Sequence, residues 1–320
     1  MTEPTVAPRR TPEDLRVRYP DAVLRADGRG PAPVAVTPVA NGVTDPAEGL
    51  DAVLEVVEDG TGGEDDVALL AAAGAGHLER LRAAHPRMHD GAVLRWLGTT
   101  PQGRLRVARG GYFGMVATCD ALRAEWESGG AGTPLRDLAH ERCGDPLRSG
   151  AGRVAALGLS VVVTVPSPGD PAGAGRRGVL LGRRSARNAL DVGSWHVAPS
   201  GMVEPAASGP GSLTATLVTE LAEELGVHLD PADASHRARV LGVVHDLLRL
   251  RPDVVVRLDL DDREAAGITH GPEFDALTTV ALATATVPAE APPSPLTPAA
   301  AGAFALLAQA SSASISADCQ

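Results

Sequence analysis

From Ser212 to Val227 the chain reads SLTATLVTELAEELGV, and this stretch admits one local structure. Leu213, Leu217, Leu221 and Leu225 recur every fourth residue and Val218 widens their stripe, the pattern of a helix with one buried face. Ser212 stands where an N-cap side chain would accept the first free N–H groups. Gly226 stands where a left-handed residue ends a helix. The spacing therefore predicts a helix over 212–225. On it Glu220, Glu223 and Glu224 lie at i, i+3 and i+4 and converge on one face. Three converging carboxylates repel one another unless a cation lies among them, and hard oxygen donors suit Mg²⁺ or Mn²⁺. A plain solvated acidic face has the same spacing, so the surrounding residues must decide.

A chain of 320 residues is long enough for two domains. Aromatic residues make up 2% of it against 44% hydrophobic residues overall, so the core must be built from Val, Leu and Ala. None of the 29 basic residues is a lysine, and Ile and Asn are scarce. We read this as a GC-rich coding bias and give the arginine content no function by itself. Residues 1–18 are polar and read as a flexible arm. Residues 19–150 read as a small α+β domain, with strand-like material from Val34 to Val43 and around residues 50–57. A helix follows from Asp65 to His85, a hairpin from Gly91 to Arg109, and a helix from Tyr112 to Glu127. Ser149-Gly150-Ala151-Gly152 is the expected join. Beyond it, strands are expected at Val154–Val165, Val179–Gly182, Arg239–Val244, Val254–Leu260 and Thr278–Val287, and a short helix at Ala299–Gln309. Residues 311–320 read as a disordered tail. The pattern reads as α+β throughout, a smaller α+β domain followed by a second unit over 151–310.

The net charge of −11 lacks the clustered positive charge that duplex nucleic acid demands, so no nucleic-acid partner is expected, and no basic helix-turn-helix is visible. Cys119, Cys143 and Cys319 are odd in number and far apart, which suits a reducing cytoplasm. Met1-Thr2-Glu3-Pro4 does not begin a secretory leader, and the apolar run near Val154–Val165 is too short to span a membrane, so no membrane association is expected.

Upstream of the acidic helix come Gly182-Arg183-Arg184-Ser185 and then Gly193-Ser194-Trp195-His196-Val197-Ala198-Pro199-Ser200-Gly201-Met202-Val203-Glu204-Pro205. A strand, an arginine pair, a turn with Trp, Pro and Gly, and an acidic helix, in that order, resemble a Nudix hydrolase. The family box is G-x5-E-x7-R-E-U-x-E-E-x-G-U, with U an aliphatic residue. Gly201 matches its first glycine, and Glu220, Leu221, Glu223, Glu224, Gly226 and Val227 match its closing half. The resemblance covers about residues 153 to 310 and implies, for the unit over 151–310, an α-β-α sandwich with a mixed sheet between helices. Gly201 to Val227 spans 27 residues against 23 in the box, which places a four-residue insertion within Ala206–Gly211. The box's first glutamate would fall on Gly211 and its arginine on Thr219. Losing both members of that bracing pair leaves no unpaired charge, whereas losing one would.

The resemblance implies Mg²⁺-dependent hydrolysis of a nucleoside diphosphate linked to another moiety, such as a nucleotide sugar or an ADP-ribose-like compound. Glu220, Glu223 and Glu224 would be catalytic and would hold metal, joined by the Gly201 carbonyl and Glu204. Arg183, Arg184, Trp195 and Glu273 would contact substrate, Glu273 by analogy with a late-loop glutamate of the family, although a solvated loop acid reads the same. Asp259, Asp261 and Asp262 read as a solvated turn. His245-Asp246 falls at a strand end, His196 reads as a pocket wall, and Tyr112-Phe113 as packing within the N-terminal domain. That domain either shapes the substrate pocket or makes a homodimer interface. The altered front half of the box also leaves room for a domain that binds a nucleotide metabolite as a sensor or scaffold without turning it over.

Overall fold

The computed structural model describes residues 14–20, 34–38, 49–58, 63–129, 132–167, 177–188, 190–206, 213–282 and 295–317. The helices are α1 (Leu15–Arg18), α2 (Glu64–Ala84), α3 (Tyr112–Met115), α4 (Ala121–Glu127), α5 (Pro134–Cys143), α6 (Leu213–Leu225), α7 (Pro231–Arg237), α8 (Asp262–Ala266) and α9 (Pro298–Ala317). The strands are β1 (Val34–Pro38), β2 (Leu54–Val56), β3 (Ala92–Thr99), β4 (Leu105–Gly111), β5 (Gly158–Pro166), β6 (Arg177–Arg184), β7 (Trp195–Val197), β8 (Ser200–Met202), β9 (Arg239–Asp246), β10 (Arg251–Asp259) and β11 (Phe274–Ala281).

The larger sheet runs β1-β9-β10-β5-β6-β11, with β10 parallel to β5 and the remaining pairs antiparallel. β5 lies within it, and its Val-rich run follows from burial on both faces. Leu159, Val161 and Val163 pack towards α6 with Leu213, Leu217, Leu221 and Leu225. Val162 packs the other way, with Val179, Leu181 and the α9 residues Phe304 and Leu307. The chain is therefore a mixed α and β structure with a mixed sheet between helices, the α and β content its periodicities predict and the layering the family resemblance implies. β5 also changes partner along one edge. Its first residues pair with β8 (Leu159 opposite Gly201), and its last pair with β6 (Thr164 opposite Val179). That division holds the β7–β8 turn beside α6.

The two sides of position 150 share one core. β1 is hydrogen-bonded to β9, with Ala35 opposite His245. β3 continues the contact: the Leu94 N–H donates to the Val203 carbonyl at 2.8 Å and the Leu157 N–H to the Leu94 carbonyl at 2.7 Å. Leu50, Leu94 and Trp96 belong to the same buried cluster as Leu159 and Leu221. The Ser149–Gly152 join thus lies inside continuous packing. Leu15 and Tyr19 are buried with Leu122 and Leu250, so the end of the expected arm is anchored. α9 runs through seven residues of the expected tail, an Ala- and Ser-rich stretch with no Gly or Pro to stop it. The predicted helix from Tyr112 to Glu127 exists but passes through a π-helical turn at Val116–Asp120. Among the described residues no helix is long and apolar enough to cross a membrane.

The predicted cap Ser212 and most of the insertion fall on residues 207–212, outside the described residues. The start of α6 is met by Asp51, from the 3₁₀ turn Leu50–Val53. Its Oδ1 accepts from the Leu213 N–H at 2.6 Å, and its Oδ2 from the Thr214 hydroxyl at 2.6 Å. A carboxylate at a helix N-terminus satisfies free donors and meets the favourable end of the helix dipole. Asp51→Ala should lower stability by about 1–2 kcal/mol, the usual cost of a lost cap, with Asp51→Asn losing less. Urea unfolding followed by circular dichroism checks this, and an unchanged midpoint for Asp51→Ala would count against it.

Candidate functional site

The carboxylates are brought together by the way α6 ends. Gly226 adopts φ +66°, as predicted, and the Val227 N–H turns back to the Leu221 carbonyl at 3.0 Å. The last carbonyls of the helix are then met from a distant loop. The Thr269 N–H donates to Leu225 at 3.0 Å and the Gly271 N–H to Glu224 at 2.8 Å. The same loop is tied to the end of β6. The Ser185 N–H and the Asn188 side chain donate to the Glu273 carbonyl at 2.8 and 2.7 Å, and the Ser185 hydroxyl donates to Pro272 at 2.8 Å. Glu273 is thereby held between α6 and the strand end that carries Arg184, which lies opposite Phe274.

Glu224 is 3% exposed. Its Oε2 accepts the Ser200 N–H at 3.0 Å and its carboxyl group is hydrogen-bonded to Glu273. Burial first, then the neighbouring Glu220, pushes the Glu224 carboxyl up to about 9. Glu220 is half-buried, and burial together with Glu273, Glu223 and Glu204 pushes it up to about 7. Glu204, Glu223 and Glu273 are exposed. Gly201 makes room for the cluster: a Cβ there would lie 1.9 Å from Glu220 Oε1. The glycine that opens the box is thus required by the side chain in its closing half.

Arg184 and Arg183 part company. In β6, Leu180 faces α6, while Val179 and Leu181 face α9. With a period of two, Arg184 lies on the α6 face and Arg183 on the other, opposite Trp195. Arg184 is largely buried, which lowers its pKa, while Asp191, Glu273 and Glu224 oppose that shift. Trp195 packs against the α9 cluster with Leu296, so the structure does not bring it or Arg183 to the carboxylates. Sequence adjacency suggested an arginine pair; strand alternation leaves one.

Other expectations resolve simply. Asp261 caps α8 in a reciprocal capping box with Glu264, and Asp259 bonds to Arg257 at 2.8 Å. His196 is buried against the Thr297 hydroxyl. Tyr112 packs against the main core. Asp246 is buried beside Arg249 at 3.3 Å. Sequence reasoning missed Ser200, Thr269 and Gly271. Their contributions are backbone N–H groups, which leave no side-chain signature; the Gly271-Pro272 dipeptide marked a turn and nothing more.

Among the described residues no group of three His, Cys, Asp or Glu side chains is gathered closely enough to hold a metal ion. The chemistry of the donors nevertheless fits a hard divalent cation. Four acids are buried in the described residues: Asp120, Glu224, Asp246 and Asp253. Three have an arginine beside them, Asp120 and Asp246 at Arg249 and Asp253 at Arg251. Glu224 forms no such ion pair, although arginine is plentiful: Arg184 feels its charge from further off, and the groups pressing on it are the carboxylates of Glu220 and Glu273. A buried carboxylate without an ion-pair partner is costly, and a cation would relieve that cost.

No model of a known protein family matches the sequence, and no curated protein matches it. Solved structures of the MutT/Nudix family do resemble it. A MutT/nudix family protein from Enterococcus faecalis shares 18% identity over 40% of this chain and 44% of its own, with a TM-score of 0.31. The chain thus spans less than half the length of that relative. The NUDIX domain of Shewanella oneidensis NrtR, in a structure with ADP ribose, shares 18% identity over 49% of this chain and 87% of its own, with a TM-score of 0.32. A MutT protein from Methanosarcina mazei Go1 shares 17% identity over 49% and 94%, with a TM-score of 0.32.

The raised carboxyls set a pH dependence. A folded-state pKa above the unfolded value contributes stability that is present at low pH and lost as pH rises through the folded value. For Glu220 and Glu224 the unfolded value is 4.5 and the folded values are about 7 and 9. In chelator, the melting temperature should therefore fall between about pH 5 and pH 9. Glu224→Gln should flatten the upper part of that fall. A wild-type melting temperature that stays level, or rises, across this range would contradict the arrangement.

Proposed function

We propose that this chain is a divalent-cation-dependent pyrophosphohydrolase of the Nudix type. Its substrate would be a nucleoside diphosphate linked to a second moiety, such as a nucleotide sugar or an ADP-ribose-like compound. One observation carries the reading: Glu224 is buried with no arginine ion-paired to it, hydrogen-bonded to Glu273 and pressed by Glu220, in a protein whose other described buried acids all have arginine partners. Such a set is costly to keep for structure alone and is useful for holding Mg²⁺ or Mn²⁺. The closing half of the sequence box, from Glu220 to Val227, supports the same reading.

Glu220, Glu223 and Glu224 would hold the cation, joined by Glu204 and the Gly201 carbonyl. When bound, the cation supplies neutralisation of the diphosphate oxygens and a lower pKa for water. The chain's own residues do the rest. Arg184 offers a guanidinium fork to the phosphate oxygens on the face that Glu224 occupies. Water adds to one phosphorus, the bridging oxygen leaves with the other phosphate, and a carboxylate of the cluster takes the proton from the water. The Ser200 N–H keeps Glu224 oriented through Oε2.

The altered front half of the box, with Thr219 exposed where the family carries an arginine, keeps the sensor reading in play. Incubation with Mg²⁺ and ADP-ribose, nucleotide sugars, dinucleoside polyphosphates or nucleoside triphosphates separates the two. Cleavage of the diphosphate bond in one of them, read as the two phosphorylated products, supports the enzyme, and tight binding without cleavage supports the sensor. For the enzyme, Glu220→Gln and Glu224→Gln should each lower turnover by about a hundredfold or more, as loss of a group holding charge or proton in the transition state does. Arg184→Ala should raise KM by about tenfold, the worth of one charge-assisted hydrogen bond, and Arg183→Ala should change it little. Equal effects of the two arginines would overturn the assignment of faces.

A further inference from the structure

Arg184 lies on the face that Glu224 occupies, and the connection from β6 to β7 governs how its guanidinium is held. The Arg184 N–H donates to the Ser194 carbonyl at 2.9 Å, and the Gly193 N–H donates to the Arg184 carbonyl at 2.8 Å. The side chain is caught by the same segment: Arg184 Nε donates to the Leu190 carbonyl at 3.3 Å. Among the described residues its two terminal nitrogens make no hydrogen bond or ion pair. The direction of the guanidinium therefore depends on what fixes Leu190.

The next residue, Asp191, supplies that anchor. Its backbone is left-handed, with φ +55°, and its carbonyl accepts the Ser194 N–H at 3.1 Å. Its carboxylate meets Arg123 of α4 at 2.8 Å through Oδ1 and Arg249, in the turn after β9, at 3.3 Å through Oδ2. The three side chains are no more than 15% exposed, so solvent and salt screen these pairs little. Both arginines are fastened elsewhere, Arg123 to Glu127 at 2.6 Å and Arg249 to Asp120 and Asp246 at 3.4 and 3.3 Å. The carboxylate also acts on Arg184 directly. Burial lowers the Arg184 pKa, and Asp191 opposes that more strongly than Glu273 or Glu224 does.

We propose that Asp191 is a positioning residue: clamped by Arg123 and Arg249, it fixes the Leu190 carbonyl and so sets the Arg184 guanidinium, leaving its terminal nitrogens for a phosphate group. Through Arg123, the N-terminal part of the chain then bears on substrate affinity. The proposal rests on the reading that Arg184 meets a diphosphate substrate.

Asp191→Asn removes the charge, keeps the size and suits a left-handed backbone, while Arg123 and Arg249 retain their other acids, so the fold should hold. With whichever diphosphate compound is cleaved, Asp191→Asn should raise KM by about threefold or more and change kcat by less than about twofold, as weakened substrate binding does. In an Arg184→Ala background the same substitution should add nothing, whereas a residue that only stabilises the fold has equal effects in both backgrounds. A second readout needs no turnover. The NMR signal of the Arg184 Nε–H, identified by its absence from Arg184→Ala, should be sharp in the wild type and broadened or lost in Asp191→Asn. An unchanged signal, or an equal rise in KM in both backgrounds, would overturn the proposal. If no compound is cleaved, the hydrolase reading fails and the Nε–H comparison still decides this one. Arg123→Gln, which takes one cation from Asp191, gives the same comparisons if Asp191→Asn does not fold.

Discussion

The C-terminal end of α6 presents carbonyl oxygens that no residue of the helix can satisfy, and how they are satisfied organises the site. Thr269 and Gly271 supply N–H groups to Leu225 and Glu224, while Ser185 and Asn188 fasten the same loop to the end of β6. One short segment therefore joins a helix end to a strand end. Glu273 rides on it to Glu224, and Arg184 waits at the strand end. A helix terminus left bare inside a protein is costly, so this loop cannot leave without leaving those carbonyls unmet. The geometry that gathers the charges is sustained by backbone bonds that carry no charge themselves.

The start of α6 is governed from equally far away. Asp51 reaches it from the N-terminal part of the chain, and Leu50, Leu94 and Trp96 share the core beneath it. The N-terminal α+β portion is thus a structural brace for the acidic helix. Arginine–aspartate contacts extend this brace: Arg249 meets Asp120, Asp191 and Asp246, and Arg123 meets Asp191 at 2.8 Å. Every aspartate there has an arginine partner. Among the described residues Glu220 and Glu224 have no ion-paired arginine, and the contrast is what marks the site.

How much was legible beforehand varies with the range of the interaction involved. The leucine period and Gly226 placed α6 to within a residue, because helix period and a left-handed stop are local. The Val-rich run marked β5, and the turn Thr100-Pro101-Gln102-Gly103 between two apolar runs marked the β3–β4 hairpin. The Nudix-like order of motifs pointed to Glu220, Glu223 and Glu224 alike, of which Glu224 is buried, Glu220 half-buried and Glu223 exposed. Arg183 and Arg184 looked equivalent because they are adjacent, yet adjacency in a strand means opposite faces. Trp195 looked like a pocket residue, yet its neighbours in β7 turn it to the α9 core.

By itself, then, the sequence determined an amphipathic acidic helix with a defined stop, a Val-built sheet, and a carboxylate set suited to a cation. Those follow from side-chain period and chemistry within a dozen residues. Only the tertiary structure decided which charges meet. It brought Glu273 to Glu224 and Asp51 to Leu213, separated Arg183 from Arg184, and buried His245 under β1. Apart from the two adjacent arginines, each of these joins residues tens to hundreds of positions apart, through hydrogen bonds and strand register, and neither leaves a trace in local composition.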